Sequence, residues 1–375
     1  DGIEERRMQA RTVFILATIA VLAAIGAALL DGRKAASPAA IDDRLYPALS
    51  GSLNETTSIA LSGSDGSRAV TIERKDTGWI VAQENDYRAD SGKIRQLLLR
   101  LSDAVIVETK TSNPDLYARL GVAEPGSAEG AGTLLEIGEP ADVRLIVGKR
   151  ESRAGKGTYA RRAEEETSYL VDADIELETD PLNWLDRQLF DIDSQSVLRV
   201  EIHHESGEEV VLQRVGEQLV ILGIPEGRSL SSPGAAQPVS RALSSLLFDD
   251  VLPRAEFEDF DPQATVRFHL DDGRRITVHA QQRDDERWVS VQVALEPVES
   301  SAGLEPVAAA ADPENDEPDT AGGETASAEP LPDRLDAEEV ARQDARFSGW
   351  IYRLPVYKYE QIVRRMEDFL LPAAE

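Results

Sequence analysis

The chain contains no cysteine, which excludes disulfides, thiolate metal sites and cysteine nucleophiles together. Positive charge is also scarce: 40 Lys and Arg face 69 Asp and Glu, for a formal net charge of -29. Sequence-independent binding to nucleic acid and adhesion to anionic headgroups both need clustered cations, so neither class fits. Only four histidines occur, His203, His204, His269 and His279. His203 and His204 are neighbours on a predicted strand and point to opposite faces, a poor start for a shared metal. His269 and His279 lie on the two arms of a hairpin turning at Asp271-Asp272-Gly273, close enough in sequence to approach each other. Four exposed strand histidines are expected, because closed metal sites need three or four ligands.

Catalytic patterns are missing as well. There is no G-x-S-x-G elbow and no Ser-x-x-Lys, and no carboxylate pair stands out from the acidic background. Asp191 to Ser196 begins like a calcium loop but lacks the Gly at the sixth position and has Ile202 at the twelfth, where a bidentate Glu belongs. Gly148 to Thr158 (GKRESRAGKGT) has the wrong glycine spacing for a phosphate loop, with Gly157 following Lys156. No cofactor, metal or catalytic residue is read from the sequence, and the protein is expected not to be an enzyme.

What is present begins with Thr12 to Leu30, an uncharged and almost wholly apolar run. As a helix it spans roughly 28 Å, close to a hydrocarbon core. The run exceeds the apolar region of a signal peptide, and Asp31, Arg33 and Lys34 follow it in place of a small-residue cleavage site. The sequence predicts a cytoplasmic segment over 1–11, a transmembrane helix over 12–30 and an Ala/Ser/Pro-rich tether over 31–56, with the body on the extracytoplasmic side.

The body is organised around Gly78 to Leu101 (GWIVAQENDYRADSGKIRQLLLRL), a strand end, a polar turn and a helix capped at Asp90 or Ser91. Its apolar residues Ile94, Leu97, Leu98 and Leu101 form one helical stripe. The same spacing returns at Val239, Ala242, Leu243 and Leu246, and at Tyr359, Ile362, Val363 and Met366. Asn113-Pro114 opens a short helix that Gly121 stops, and Asp180-Pro181 opens another running to Phe190. Hairpins turn at Asp65-Gly66 and at Ser206-Gly207, each followed by the same succession of strands and helices. Two copies of about 130 residues account for the body. The predicted fold is α+β: two tandem repeats of antiparallel sheet packed with helices, over 57–192 and 193–375, preceded by one transmembrane helix. An acidic insertion over 296–344 interrupts the second copy. Between Glu296 and Glu339 it holds 14 acids and one Arg, a composition too polar to build a core. Trp79, Trp184, Trp288 and Trp350 are expected in core packing.

One local cluster of positive charge stands out on this acidic chain: Lys149, Arg150, Arg153, Lys156, Arg161 and Arg162. It is the candidate contact for an acidic partner, a lipid headgroup or an acidic glycan.

The run WLDRQLFDIDSQSVLRVEI, the progression from GWIV through YRAD to KIRQLLLRL, the segment DLYARLGV and the final WIYRLPVYKYEQIVRRMEDFL together resemble the domain-of-unknown-function 4340 family. The resemblance covers residues 57 to 371 and the N-terminal anchor. It implies a bacterial inner-membrane protein with a periplasmic body, working beside the permease and envelope subunits of an ATP-binding-cassette transporter such as the gliding-motility auxiliary system. It implies no catalytic residues. The function expected is therefore that of a non-enzymatic accessory or scaffold subunit. The alternative is a periplasmic module that binds a lipid or glycan at the interface of the repeats.

Overall fold

The computed structural model describes residues 43–151, 157–296 and 335–372. The expected segments 1–11 and 12–30, Arg153, Lys156 and residues 297–334 of the insertion lie outside the described residues. Among the described residues no helix is long and apolar enough to cross a membrane.

The strands alternate buried and open positions, and antiparallel pairing dominates. The first ten are β1 (Ser58–Ser62), β2 (Arg68–Lys75), β3 (Gly78–Val81), β4 (Tyr87–Arg88), β5 (Ile106–Thr109), β6 (Thr133–Ile137), β7 (Val143–Arg150), β8 (Thr158–Arg162), β9 (Ser168–Val171) and β10 (Gln188–Phe190). Nine follow: β11 (Val197–His204), β12 (Glu209–Val215), β13 (Gln218–Leu222), β14 (Leu246–Leu247), β15 (Asp250–Pro253), β16 (Ala264–Leu270), β17 (Arg274–Arg283), β18 (Glu286–Leu295) and β19 (Trp350–Arg353). One strand order is used twice. The meander β3-β2-β1 recurs as β13-β12-β11, and β6-β7-β8-β9-β5 recurs as β16-β17-β18-β19-β15. In both, four strands run in sequence and the last pairs with the strand that precedes them, so the recurrence read from the hairpins is present in the sheets.

Compactness divides the chain differently. Among the described residues, one unit takes in those up to Thr56, Ser64–Gly66 and those from Gln96 to Glu176; the other takes in Thr57–Gly63, Ser67–Arg95 and those from Leu177 onward. The first unit holds the run β6-β7-β8-β9-β5. The second holds β4-β3-β2-β1, the pair β10-β14 and the eight strands from β13 to β15. Its core is apolar, with Val200, Ile202, Val266, Phe268, Ile276 and Val289 fully buried, and it adds an aromatic cluster in which Tyr87 meets Trp350 at 4.8 Å and Phe248 at 5.4 Å, both T-shaped.

The helices are shorter than their periodicity predicts. The stripe Ile94, Leu97, Leu98 and Leu101 is buried on a 13-residue helix, α1 (Ser91–Asp103), as expected. Val239, Ala242, Leu243 and Leu246 are equally buried, yet only Gln237–Ser240 is helical there. Ser244 donates its hydroxyl to Ile192 O, and Ser245 bonds Asp191 through both backbone and side chain. Such local bonds compete with the helical ladder, and the chain turns into β14. Asp180 caps a single 3-10 turn, Pro181–Trp184, before β10 replaces the expected helix. The tether also ends early: Leu45 and Leu49 are buried in the first unit, and Leu45 N bonds Ala104 O.

The insertion closes before 344. Asp336 accepts a hydrogen bond from Glu339 N and starts α2 (Ala337–Phe347), with Glu338 and Glu339 in its first turn and Val340 and Phe347 buried. Acids that read as disordered composition are favourable at a helix N-terminus, where the backbone dipole is positive.

Candidate functional site

Four members of the predicted basic cluster lie among the described residues, and each has acceptors within the first unit. Arg161 is 4% exposed and donates to Val122 O, Glu165 O and Glu124 Oε1, with its guanidinium 4.7 Å from the Tyr117 ring centroid. Arg162 donates twice to Leu45 O and forks onto Glu165. Arg150 bridges Asp174 and Glu176, and Lys149 Nζ reaches Ala118 O and Arg119 O. The four described members are therefore each tied to internal acceptors, with Glu165 shared by Arg161 and Arg162.

The histidines depart from the expectation of exposure. His204 and His269 are buried, and His203 and His279 are partly so. His269 and His279 do not meet, because the register sets His269 opposite Arg275 and His279 opposite Thr265. Three of the four share one face of the second unit's sheet. Strand alternation places Arg199, Glu201 and His203 of β11 beside Thr265, Arg267 and His269 of β16. Next to these come Arg275, Thr277 and His279 of β17, then Ser290 and Gln292 of β18. The opposite face carries the apolar core.

At one end of this polar face Glu201 Oε2 lies 3.7 Å from His269 Nε2, 3.8 Å from His203 Nε2 and 3.8 Å from Arg267 Nη1. His269 Nδ1 sits 2.8 Å from the buried carboxylate of Glu296. Burial alone would raise the Glu201 carboxyl, but its hydrogen bond with Arg199 and the neighbouring His269 carry it below the usual range. Among the described residues no group of His, Asp and Glu is arranged to hold a metal ion.

The other end of the face opens into a pocket of about 340 Å³. His279, Ser290 and Gln292 of the sheet form its floor, Arg254 and Phe260 one wall, and Asp344, Phe347 and Trp350 the other. The walls are fixed by backbone. Arg254 N donates to Gly349 O, and Pro253 pairs with Trp350 across β15 and β19. Val293 N, on the outer edge of β18, donates to Asp344 Oδ1 at 2.8 Å and so pins α2 against the strand. Burial lowers the His279 imidazole, with the charges of Arg254 and Arg267 adding to it against a contact with Gln292. The ring is therefore neutral near pH 7, with Nδ1 3.1 Å from Thr265 Oγ1. The Arg254 guanidinium lies 4.7 Å from the Phe260 ring centroid and makes no ion pair among the described residues, nor does Asp344.

A wider groove of about 640 Å³ is lined by Asp191, Asp193, Arg241 and Lys358. Burial lowers the Lys358 ammonium, a feature of catalytic lysines. Here its Nζ donates to the carbonyls of Arg241, Ala242 and Ser244, which uses all three protons in tying down the turn after Ser240.

Sequence reading missed Arg254, Phe260 and Asp344 as site residues, because they come from three separate segments. The polar face itself was legible in the alternation of Arg199-Glu201-His203 and Arg275-Thr277-His279.

Fold and site together define a sheet-rich α+β protein that uses one strand order twice and carries a ligand-sized pocket on its second sheet. The family described as a domain of unknown function, DUF4340, matches residues 79–286, and the chain belongs to that family. No curated protein and no solved structure matches it.

Proposed function

We propose that the chain is a non-enzymatic, membrane-anchored extracytoplasmic subunit serving an ATP-binding-cassette transporter or envelope complex, and that it holds a small polar ligand in the pocket beside His279. The observation that carries this reading is the pocket: concave, walled by aromatic rings, and supplied with convergent polar groups on a rigid sheet. Ser290 stands opposite His279 in the strand register, but the imidazole bonds Thr265 and Gln292, so the reading taken is holding and not catalysis. The apolar run at 12–30 supports the anchor, and the family resemblance supports the transporter partner. The pocket lies within the second unit, so ligand binding in this reading needs no cleft between the repeats.

The test is to purify the full-length chain from its native membrane in mild detergent and identify its companions by mass spectrometry. Stoichiometric recovery of a permease and an ATPase of one transporter is expected. Recovery of the chain alone after in-membrane crosslinking would overturn the accessory role.

A further inference from the structure

We infer that the ligand of this pocket is a saccharide, bound with the apolar face of a pyranose ring against Trp350 and its hydroxyls toward Arg254, His279, Gln292 and Asp344. This rests on the reading of the pocket as a ligand site and narrows its chemistry by what each lining group would tolerate.

A wholly anionic ligand would meet the Asp344 carboxylate, whose partner is the Val293 N–H, and a wholly cationic one the Arg254 guanidinium; neither group has an ion pair among the described residues. An aliphatic ligand would strip water from the Arg254 guanidinium, which has no ion pair among the described residues, and from the Ser290 hydroxyl, at the desolvation cost of each. What remains is a ligand with one apolar face and many neutral groups that both donate and accept. The lining matches that demand. Carboxamide offers a donor and an acceptor, guanidinium donors only and carboxylate acceptors only, while the imidazole already engages Thr265 through Nδ1. Arg254 is oriented by stacking on Phe260, which leaves the N–H groups along its edge for a ligand. Trp350 is braced by Tyr87 in a T-shaped contact at 4.8 Å, so its ring presents a fixed apolar plane. The volume, about 340 Å³, sits at the small end of ligand pockets and suits one or two sugar rings.

An amino-acid zwitterion is the nearest competitor, since Arg254 and Asp344 would take its two charges. It would leave the Ser290 hydroxyl and the remaining hydrogen-bonding capacity of Gln292 without a ligand partner, which a polyhydroxylated ring would not.

The experiment is calorimetric titration of the full-length chain in mild detergent with N,N′-diacetylchitobiose, cellobiose and maltose, beside glutamate, lysine and decanoate. Saturable binding of at least one disaccharide is expected, weakened tenfold or more in both Arg254→Ala and Gln292→Ala. Both positions are exposed, and an unchanged melting temperature verifies their folding. Binding of an amino acid or decanoate in place of every sugar would overturn the assignment, as would sugar binding indifferent to both substitutions or no binding by the whole panel. A non-sugar molecule extracted from the purified protein and lost in Arg254→Ala would refute the saccharide while leaving the ligand-site reading intact.

Discussion

Arg161 separates a structural cation from a surface one more sharply than any other residue of the predicted basic cluster. Truncation to Ala removes donors from Val122 O at 3.1 Å, Glu165 O at 3.0 Å and Glu124 Oε1 at 2.6 Å, and lifts a cation from the Tyr117 ring. Bonds to charged donors contribute about 1.5–3 kcal/mol each when buried. Breaking a buried charge's partnership costs about 3–5 kcal/mol in total, less than the sum because water enters the gap. Arg150→Ala is the control: its side chain is 53% exposed and its partners Asp174 and Glu176 are 54% and 62% exposed. That pair of bridges should contribute about 0–1 kcal/mol. The first unit contains no Trp, so fluorescence would miss the change. Hydrogen exchange of peptides covering β8 and β9 reports it directly. Arg161→Ala should speed exchange there roughly a hundredfold or more, and Arg150→Ala by no more than about fivefold. Equal effects of the two substitutions, or wild-type exchange in Arg161→Ala, would refute the reasoning.

Three further predictions follow from the same geometry. The folded pKa of His279 lies below its unfolded value, so its contribution to stability is complete above about pH 6.5 and is lost as pH falls through the folded value. Thermal melts at pH 7.5 and 5.5 should show a decline that His279→Gln reduces; an identical decline in the variant would contradict it. Glu201 has the same sign in a lower window, with stability present above its ordinary carboxylate range and lost below it, so Glu201→Gln should flatten the acid limb. Gly130 has φ +62 and an added Cβ would stand 2.2 Å from Ala118 Cα, so Gly130→Ala should cost at least about 3 kcal/mol, visible in calorimetric melting, where a wild-type transition would disprove the close approach.

The elements most legible in the sequence are those set by neighbours along the chain. The stripe from Ile94 to Leu101, the caps at Asn113 and Asp180 and the stop at Gly121, whose φ is +74, all depend on residues within one turn. The recurrence of the strands was legible because the same turn signals recur in the same succession. Helix lengths were not. Val239, Ala242, Leu243 and Leu246 are buried as their spacing predicts, but Ser244 and Ser245 bind Ile192 and Asp191, more than 50 residues away. The partners of the charged residues were not legible, for a related reason. Arg161 and Arg162 read as a basic surface, yet their acceptors come from Leu45, Val122 and Glu165. Nothing in a local window distinguishes a cation with buried carbonyls waiting for it from one in water. The pocket was hidden for the same cause, since α2 reaches it only after residues whose acidic composition had merged with its own first turn.

Native mass spectrometry of the intact, full-length protein released from mild detergent tests the central claim most directly, comparing wild type with Arg254→Ala. The account predicts a small non-covalent adduct on the wild type, stoichiometric with the chain and absent from the variant. The same bare mass for both, under conditions that preserve the folded charge-state distribution and after incubation with membrane extract, would contradict it.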